Sequence, residues 1–400
     1  MPESPYEVLA LFTGAMVGAS LLIMATGTLL PSFGAALHLS QAQMGWLLSI
    51  QFIGSVAMTS VAGALTDRFG DKTVVLWSGV IMGLALIAAS AVESYAWLIS
   101  WLGVYGLGYA AVTPAGSHAI IFFFKKSDRG FAMGVRQCGV PLAGVIGSLL
   151  LPAIALRFDY RLALATAGVL TLCACTIASR LYREPIELEG ERVSLRAMIV
   201  EMIVIAREPR LILLTLTSMV LICGQLALMG FLTLTLVHRA GYGLPLALSL
   251  FTLSQVAAIG GRLAWGWISD HVFAGSRTLP LATNCVLVAL VALGIASIGT
   301  ATPVWIALLL ALALGFTAEG WLGVSVIGFA ELGGEEHAGS ALGVGLTWTL
   351  LAAFATPALF GALAQVHGYD VAWRALAALV ALGVVPALLA SRAAAALKAQ

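Results

Sequence analysis

The chain has 400 residues, of which 60% are hydrophobic and only 10% charged, with a formal net charge of +1. A soluble protein carries about 25% charged residues, so a mean hydropathy of +1.01 excludes a water-facing surface over most of the chain and puts it in a lipid bilayer. The near-neutral charge offers no basic field for nucleic acid. The five cysteines (Cys138, Cys173, Cys175, Cys223, Cys285) fall in apolar runs without metal-ligand spacing and read as small buried hydrophobes.

The chain enters an apolar run near Val8 without a basic region or a cleavage site, so the first helix is expected to be retained. Runs long enough to cross about 30 Å of hydrocarbon cover 8–35, 44–65, 73–92, 96–124, 131–156 and 161–181, then 210–238, 245–270, 279–299, 303–330, 338–366 and 371–390. They predict an all-α membrane protein of twelve transmembrane helices. One long polar segment, Leu181 to Arg210, carries Glu, Arg, Pro185 and Pro209. It divides the chain into an N-terminal six-helix bundle (1–181), a cytoplasmic linker (182–209) and a C-terminal six-helix bundle (210–400). With the N-terminus inside, the inner loops hold Arg68, Lys72, Lys125, Lys126, Arg129, Arg180, Arg183, Arg192, Arg196, Arg207 and Arg210. The outer loops hold little beyond Arg157, Arg161, Arg239 and Arg374, so both termini are expected on the cytoplasmic side of the inner (plasma) membrane. Trp46, Trp97 and Trp101 read as interface anchors.

Between the second and third runs lies Gly63-Ala64-Leu65-Thr66-Asp67-Arg68-Phe69-Gly70-Asp71-Lys72. It reads as a compact charged turn, with Asp67 facing the positive end of a neighbouring helix. The halves also repeat. Gly63-x-x-x-Asp67-Arg68 is echoed by Gly266-x-x-x-Asp270-His271, and Gly130-Phe-Ala-Met-Gly134-Val135 by Gly339-Ser-Ala-Leu-Gly343-Val344. Phe158-Asp159-x-Arg161 has a looser echo in Tyr369-Asp370-x-x-x-Arg374, and the three echoes lie about 200–210 positions apart. The ten-residue loop resembles the G-x-L-x-D-[RK]-x-G-[RK]-[RK] motif of the major facilitator superfamily, with Asp71 in place of one basic residue. The resemblance implies two pseudo-symmetric six-helix bundles with a solute site between them. It also implies a gating loop built on Gly63, Asp67, Arg68 and Gly70, with Asp270 as its counterpart. His271 in place of a base predicts a second latch that is either weaker or titrates with pH. Gly139-Val140-Pro141-Leu142-Ala143-Gly144 partly resembles the fifth-helix motif of proton-coupled antiporters, although Val140 interrupts its Gly-Pro pair.

A charge at membrane depth is costly and usually faces an aqueous cavity or a partner. Arg262 precedes Asp270 by eight residues, about 12 Å along a helix. Gln255, Arg262 and Ser269 recur every seven residues and share one face of the eighth span. In Gly261-Arg262-Leu263-Ala264-Trp265-Gly266, Arg262 resembles the eighth-helix arginine of oxalate–formate exchangers and monocarboxylate transporters, which implies contact with a substrate carboxylate. An arginine that snorkels or caps a helix end is the competing reading. Arg136 lies about 9 Å into the fifth span. Because the fifth and eighth helices face each other in that superfamily, Arg136 is expected either at the same site or in a gate salt bridge. Glu319 sits far from any predicted loop, where a carboxylate can take a proton in one state and release it in another. A permanently ionised partner of a buried arginine is the alternative. Gln225, in the seventh span, is a further lining candidate; Gln51, His118 and Trp348 are weaker ones.

The expected function is secondary active transport of small organic anions, monocarboxylate-like, by alternating access, as proton symport or antiport-type exchange. The substrate-binding set is Arg262, Arg136, Gln225 and Gln255, and Glu319 couples protons. No cofactor and no catalytic or metal site is expected, and the carrier should work as a monomer in lipid. A proton-linked drug or metabolite exporter is the rival within transport, although buried arginines repel cationic drugs. A non-transporting membrane sensor is the rival outside it, and would need a signalling domain for which the linker and tail leave no room. A Walker-type Gly-rich loop with Lys and an H-E-x-x-H site are both absent, which argues against an ATP-driven pump and an intramembrane enzyme.

Overall fold

The structure is a computed structural model that describes residues 4–125, 128–183 and 204–398. The polar linker expected at 182–209 lies mostly outside the described residues, and so does the side chain of Asp67. Two compact units, Met1–Val193 and Ser194–Gln400, divide the chain. The first holds α1 (Pro5–Leu37), α2 (Gln41–Ser90), α3 (Tyr95–Phe123), α4 (Arg129–Gln137), α5 (Gly139–Arg157) and α6 (Tyr160–Leu181). The second holds α7 (Pro209–Ala240), α8 (Leu244–His271), α9 (Thr278–Ala296), α10 (Val304–Ala318), α11 (Leu322–His367), α12 (Tyr369–Leu382) and α13 (Val384–Lys398).

Among the described residues, 11 helical stretches are long and apolar enough to cross a membrane. The remaining expected span, 44–65, is helical within α2. Together they give the twelve-span, all-helical architecture. The helix ends follow their local sequence. Ser40 and Gln43 form a reciprocal capping box at the start of α2. Asp159 accepts the Leu162 amide at 2.8 Å to begin α6, and Gly241 closes α7 at φ 70°. Large apolar side chains, among them Trp77, Trp97, Trp267 and Trp305, stay exposed on the outer faces, as lipid-facing surface requires. Cys175, Cys223 and Cys285 are buried as expected, but Cys173 is exposed and Cys138 intermediate. These two correct the uniform reading, since an apolar run has a lipid face as well as a core face.

The turn expected at Gly63–Lys72 is much tighter than ten residues. Helix continues through Arg68 and Phe69, and the chain redirects at Gly70 alone (φ 78°, ψ 159°). Gly334 (φ 68°) does the same within α11. A side chain at positive φ costs about 1–2 kcal/mol, so a single glycine suffices for the bend and the helix need not unwind on either side. The fifth expected span is divided at Cys138 into α4 and α5.

Glycines also set the tightest helix crossings. A Cβ on Gly54 would stand 2.3 Å from the Gly106 backbone, and one on Gly106 would stand 2.3 Å from Gln51 O, so α2 and α3 touch main chain to main chain. The second unit repeats the device. A Cβ on Gly261 would meet Phe316 O at 2.2 Å, and one on Gly315 would meet Ser254 O at 1.9 Å. The α8–α10 crossing thereby becomes the counterpart of α2–α3. Such contacts substitute for the hydrophobic drive that lipid removes.

Candidate functional site

The α8–α10 crossing leads to a break in the ninth-to-tenth segment of the chain. Helix α10 stops at Ala318, Glu319 caps it at φ −109° and ψ −13°, and α11 restarts at Leu322. The interruption lies inside one apolar stretch, Val304–Gly334. Non-helical backbone at membrane depth is tolerated only where it is buried in protein or lines a cavity. Here neighbouring side chains satisfy the carbonyls of the last turn. Trp265 Nε1 donates to Phe316 O at 3.2 Å, and Asn284 Nδ2 donates to Thr317 O at 3.0 Å. Gly320 must lack a side chain, because its Cβ would meet Trp265 at 2.2 Å.

This break delivers Glu319 to the polar stripe of α8. Glu319 is fully buried, and its Oε1 accepts Gln255 Nε2 at 2.9 Å. Its Oε2 lies 3.4 Å from Arg262 Nη2, in an ion pair whose side chains are 0% and 5% exposed. Gln255 is itself buried, and its Oε1 finds no hydrogen-bond partner among the described residues. Three of the residues expected from sequence therefore converge on one buried cluster. The pairing joins Arg262 and Glu319, which the sequence presented as separate charges. The seven-residue stripe then divides, because Ser269 turns instead to Ser276 O and Arg277.

Gln225 is buried on α7 with its Oε1 unpartnered among the described residues, and no hydrogen bond joins it to this cluster. Trp348 is half exposed. Gln51 is held by Thr26 and by Leu47 O within the first unit.

Arg136 occupies a different setting. It is 1% exposed on α4, and its guanidinium lies against α3, with Nη1 donating to Thr113 O at 3.2 Å and Nη2 to Ser117 Oγ at 2.8 Å. Both acceptors are neutral, and among the described residues no carboxylate pairs with it.

The loop regions hold two groups that sequence reasoning passed over. Asp71, read as a minor departure from a motif, is buried; His118 Nδ1 lies 3.0 Å from Oδ1, and Tyr182 OH donates to Oδ2 at 3.3 Å. In the second unit His271 stacks on Trp267, while Arg277 supplies the base that pairs with Asp270. Arg277 Nη1 meets Asp270 Oδ1 at 2.5 Å, and Nη2 meets Glu331 Oε1 at 2.9 Å. The positive-φ pair Ala274 and Gly275 turns the chain back so that Arg277 can reach them.

The sequence profile described as the Major Facilitator Superfamily matches residues 11–355. An uncharacterised MFS-type transporter of Mycobacterium tuberculosis is 27% identical over 382 residues, covering 95% of this chain and 84% of that one. The 3-(3-hydroxy-phenyl)propionate transporter of Escherichia coli K12 is 26% identical over 278 residues, covering 69% and 67%. Among solved structures, a bacterial homologue of the human lysosomal transporter Spinster superposes with a TM-score of 0.79 at 15% identity, over 98% of both chains.

Proposed function

Because this chain belongs to the Major Facilitator Superfamily, and so is a multi-pass membrane transporter rather than an enzyme, we propose that it carries small organic anions of the monocarboxylate type and couples them to protons. The observation that carries this reading is the buried Arg262–Glu319–Gln255 cluster at the α10 break. An ionised Glu319 occupies Arg262. Protonation of Glu319 releases the guanidinium, and a substrate carboxylate then takes its place in the two-pronged geometry that arginine favours. Proton and anion therefore bind together, and neither leaves a lone charge in a low-dielectric interior. Gln255 orients Glu319, and Gln225 supplies a further polar lining group. The relation to a carrier of a hydroxyphenylpropionate supports a carboxylate cargo. The asymmetry of Lys and Arg supports cytoplasmic termini in a plasma membrane.

The test is uptake into proteoliposomes of a radiolabelled panel: 3-(3-hydroxyphenyl)propionate, benzoate, a dicarboxylate, and tetraphenylphosphonium as a lipophilic cation. Rates above those of protein-free vesicles are expected for the monocarboxylates, and they should increase with an inward proton gradient. Protein-dependent movement of the cation alone would overturn the reading in favour of drug export.

A further inference from the structure

We infer that Arg136 forms a standing anion site in the first unit, one that engages a monoanion whether or not Glu319 is protonated. The inference rests on the transport reading only for the anion's identity as an organic carboxylate.

The two buried arginines differ in charge balance. Arg262 has its counter-ion in Glu319. Arg136 is as deeply buried but among the described residues meets only a backbone carbonyl and a hydroxyl, and its Nε finds no hydrogen-bond partner there. Among the described residues, the one titratable side chain acting on its charge is the Tyr109 phenol, which is uncharged at neutral pH. Tyr109, Thr113, Gly116 and Ser117 follow helical spacing on α3 and present one face to the guanidinium. Gly116 leaves that face bare, because a Cβ there would stand 2.6 Å from Nη1 and 3.2 Å from Phe12. Ser117 donates its own hydroxyl proton to Thr113 O at 2.8 Å, which turns its oxygen lone pairs towards Nη2. The arrangement fixes the plane of the guanidinium but, among the described residues, leaves its charge unbalanced.

An arginine kept only to brace α3 against α4 would be expected to use carbonyls left open by a helix break. Thr113 O instead already accepts the Ser117 hydroxyl. Buried charges are retained where a partner or a ligand offsets them, and a single unbalanced positive charge calls for one negative charge. The ligand class is therefore a monoanion. The division of labour follows: Arg136 sets anion affinity, and the Arg262–Glu319 pair sets proton dependence.

The experiment measures benzoate binding to the full-length protein in detergent at pH 6 and pH 8 by calorimetry, with benzamide as the uncharged isostere and thiocyanate as an inorganic monoanion. Melting temperature is followed without ligand. Wild type is expected to bind benzoate at both pH values and to ignore benzamide. Arg136→Gln should lose roughly thirtyfold or more in benzoate affinity at both pH values, and without ligand it should melt at the same or a higher temperature. Arg136→Lys and Ser117→Ala keep the charge but misplace it, so each should weaken binding by about tenfold or less. These two variants decide the matter if the glutamine variant does not fold. Unchanged benzoate affinity in Arg136→Gln, or in both of the milder variants, would overturn the proposal. Binding of thiocyanate but not benzoate, lost with Arg136, would keep an anion site here and sink the organic-anion reading instead.

Discussion

Replacing Glu319 with glutamine separates its charge from its shape. The carboxylate uses both oxygens, one towards Gln255 at 2.9 Å and one towards Arg262 at 3.4 Å. A glutamine preserves the length and one acceptor, so the amide contact can persist while the ion pair is lost. Removing one partner of a buried pair costs about 3–5 kcal/mol. The 3.4 Å contact is longer than the roughly 2.7–2.9 Å of a strong charge-assisted bond, so the expected destabilisation is at or below the lower end, about 3 kcal/mol. Transport responds more sharply. One pH unit is worth about 1.36 kcal/mol, so one proton per monoanion supports about tenfold accumulation per unit. The assay loads proteoliposomes at pH 7, dilutes them into pH 6 with the membrane potential clamped at zero, and follows 3-(3-hydroxyphenyl)propionate above protein-free vesicles. Wild type should approach tenfold accumulation. Glu319→Gln should equilibrate near onefold yet still exchange labelled for unlabelled anion, because Arg262 remains available. The double variant Arg262→Gln/Glu319→Gln should be more stable than Arg262→Gln alone, since it buries no orphan charge. If Glu319→Gln still concentrates the anion, proton transfer resides elsewhere, and the pairing with Arg262 is only structural.

Gly315→Ala places a methyl 1.9 Å from Ser254 O, a backbone atom that cannot swing aside. It should cost at least about 1–3 kcal/mol, read as a lower melting temperature, and a variant as stable as wild type would show that the α8–α10 crossing is looser than described. Arg277→Gln leaves Asp270 and Glu331 without their shared base. Both carboxylates are about half exposed, so the loss should be about 1–2 kcal/mol and shrink at high salt; a salt-independent change would argue against an electrostatic latch.

The bilayer made much of this architecture legible. Hydrocarbon thickness imposes a minimum length and an apolar composition on each span, so the runs could be counted, and the echoes of Asp67 and Asp270 marked the duplication. Turn lengths were less legible, because one glycine at positive φ does what a polar loop does, and Gly70 stands among charged neighbours that disguise it. The break at Glu319 was hidden for a different reason. The segment carries no proline, and the partners that stabilise its open carbonyls, Trp265 and Asn284, come from other helices. Arg277 escaped notice because motif symmetry drew attention to position 271, whereas the Ala274–Gly275 turn lets a residue six positions later do the work.

The intramembrane charges show how far a single sequence reaches. Arg136 and Arg262 look alike in it: each is a lone base within an apolar run, and each invites the same choice between substrate contact and structure. What separates them is the counter-charge. For Arg262 it stands 57 residues away in sequence, on the break between two helices. For Arg136, among the described residues, the neighbouring helix offers the neutral acceptors Thr113 O and Ser117 Oγ and no carboxylate. A pair that is neutral when Glu319 is ionised can report on protons but does not attract an anion until the acid is protonated. An unpaired guanidinium attracts one at any pH below its own titration. On the proposed reading, Arg136 engages the anion at either protonation state of Glu319 whereas Arg262 engages it only together with the proton, so the two contributions can be removed independently by substituting Arg136 or Glu319.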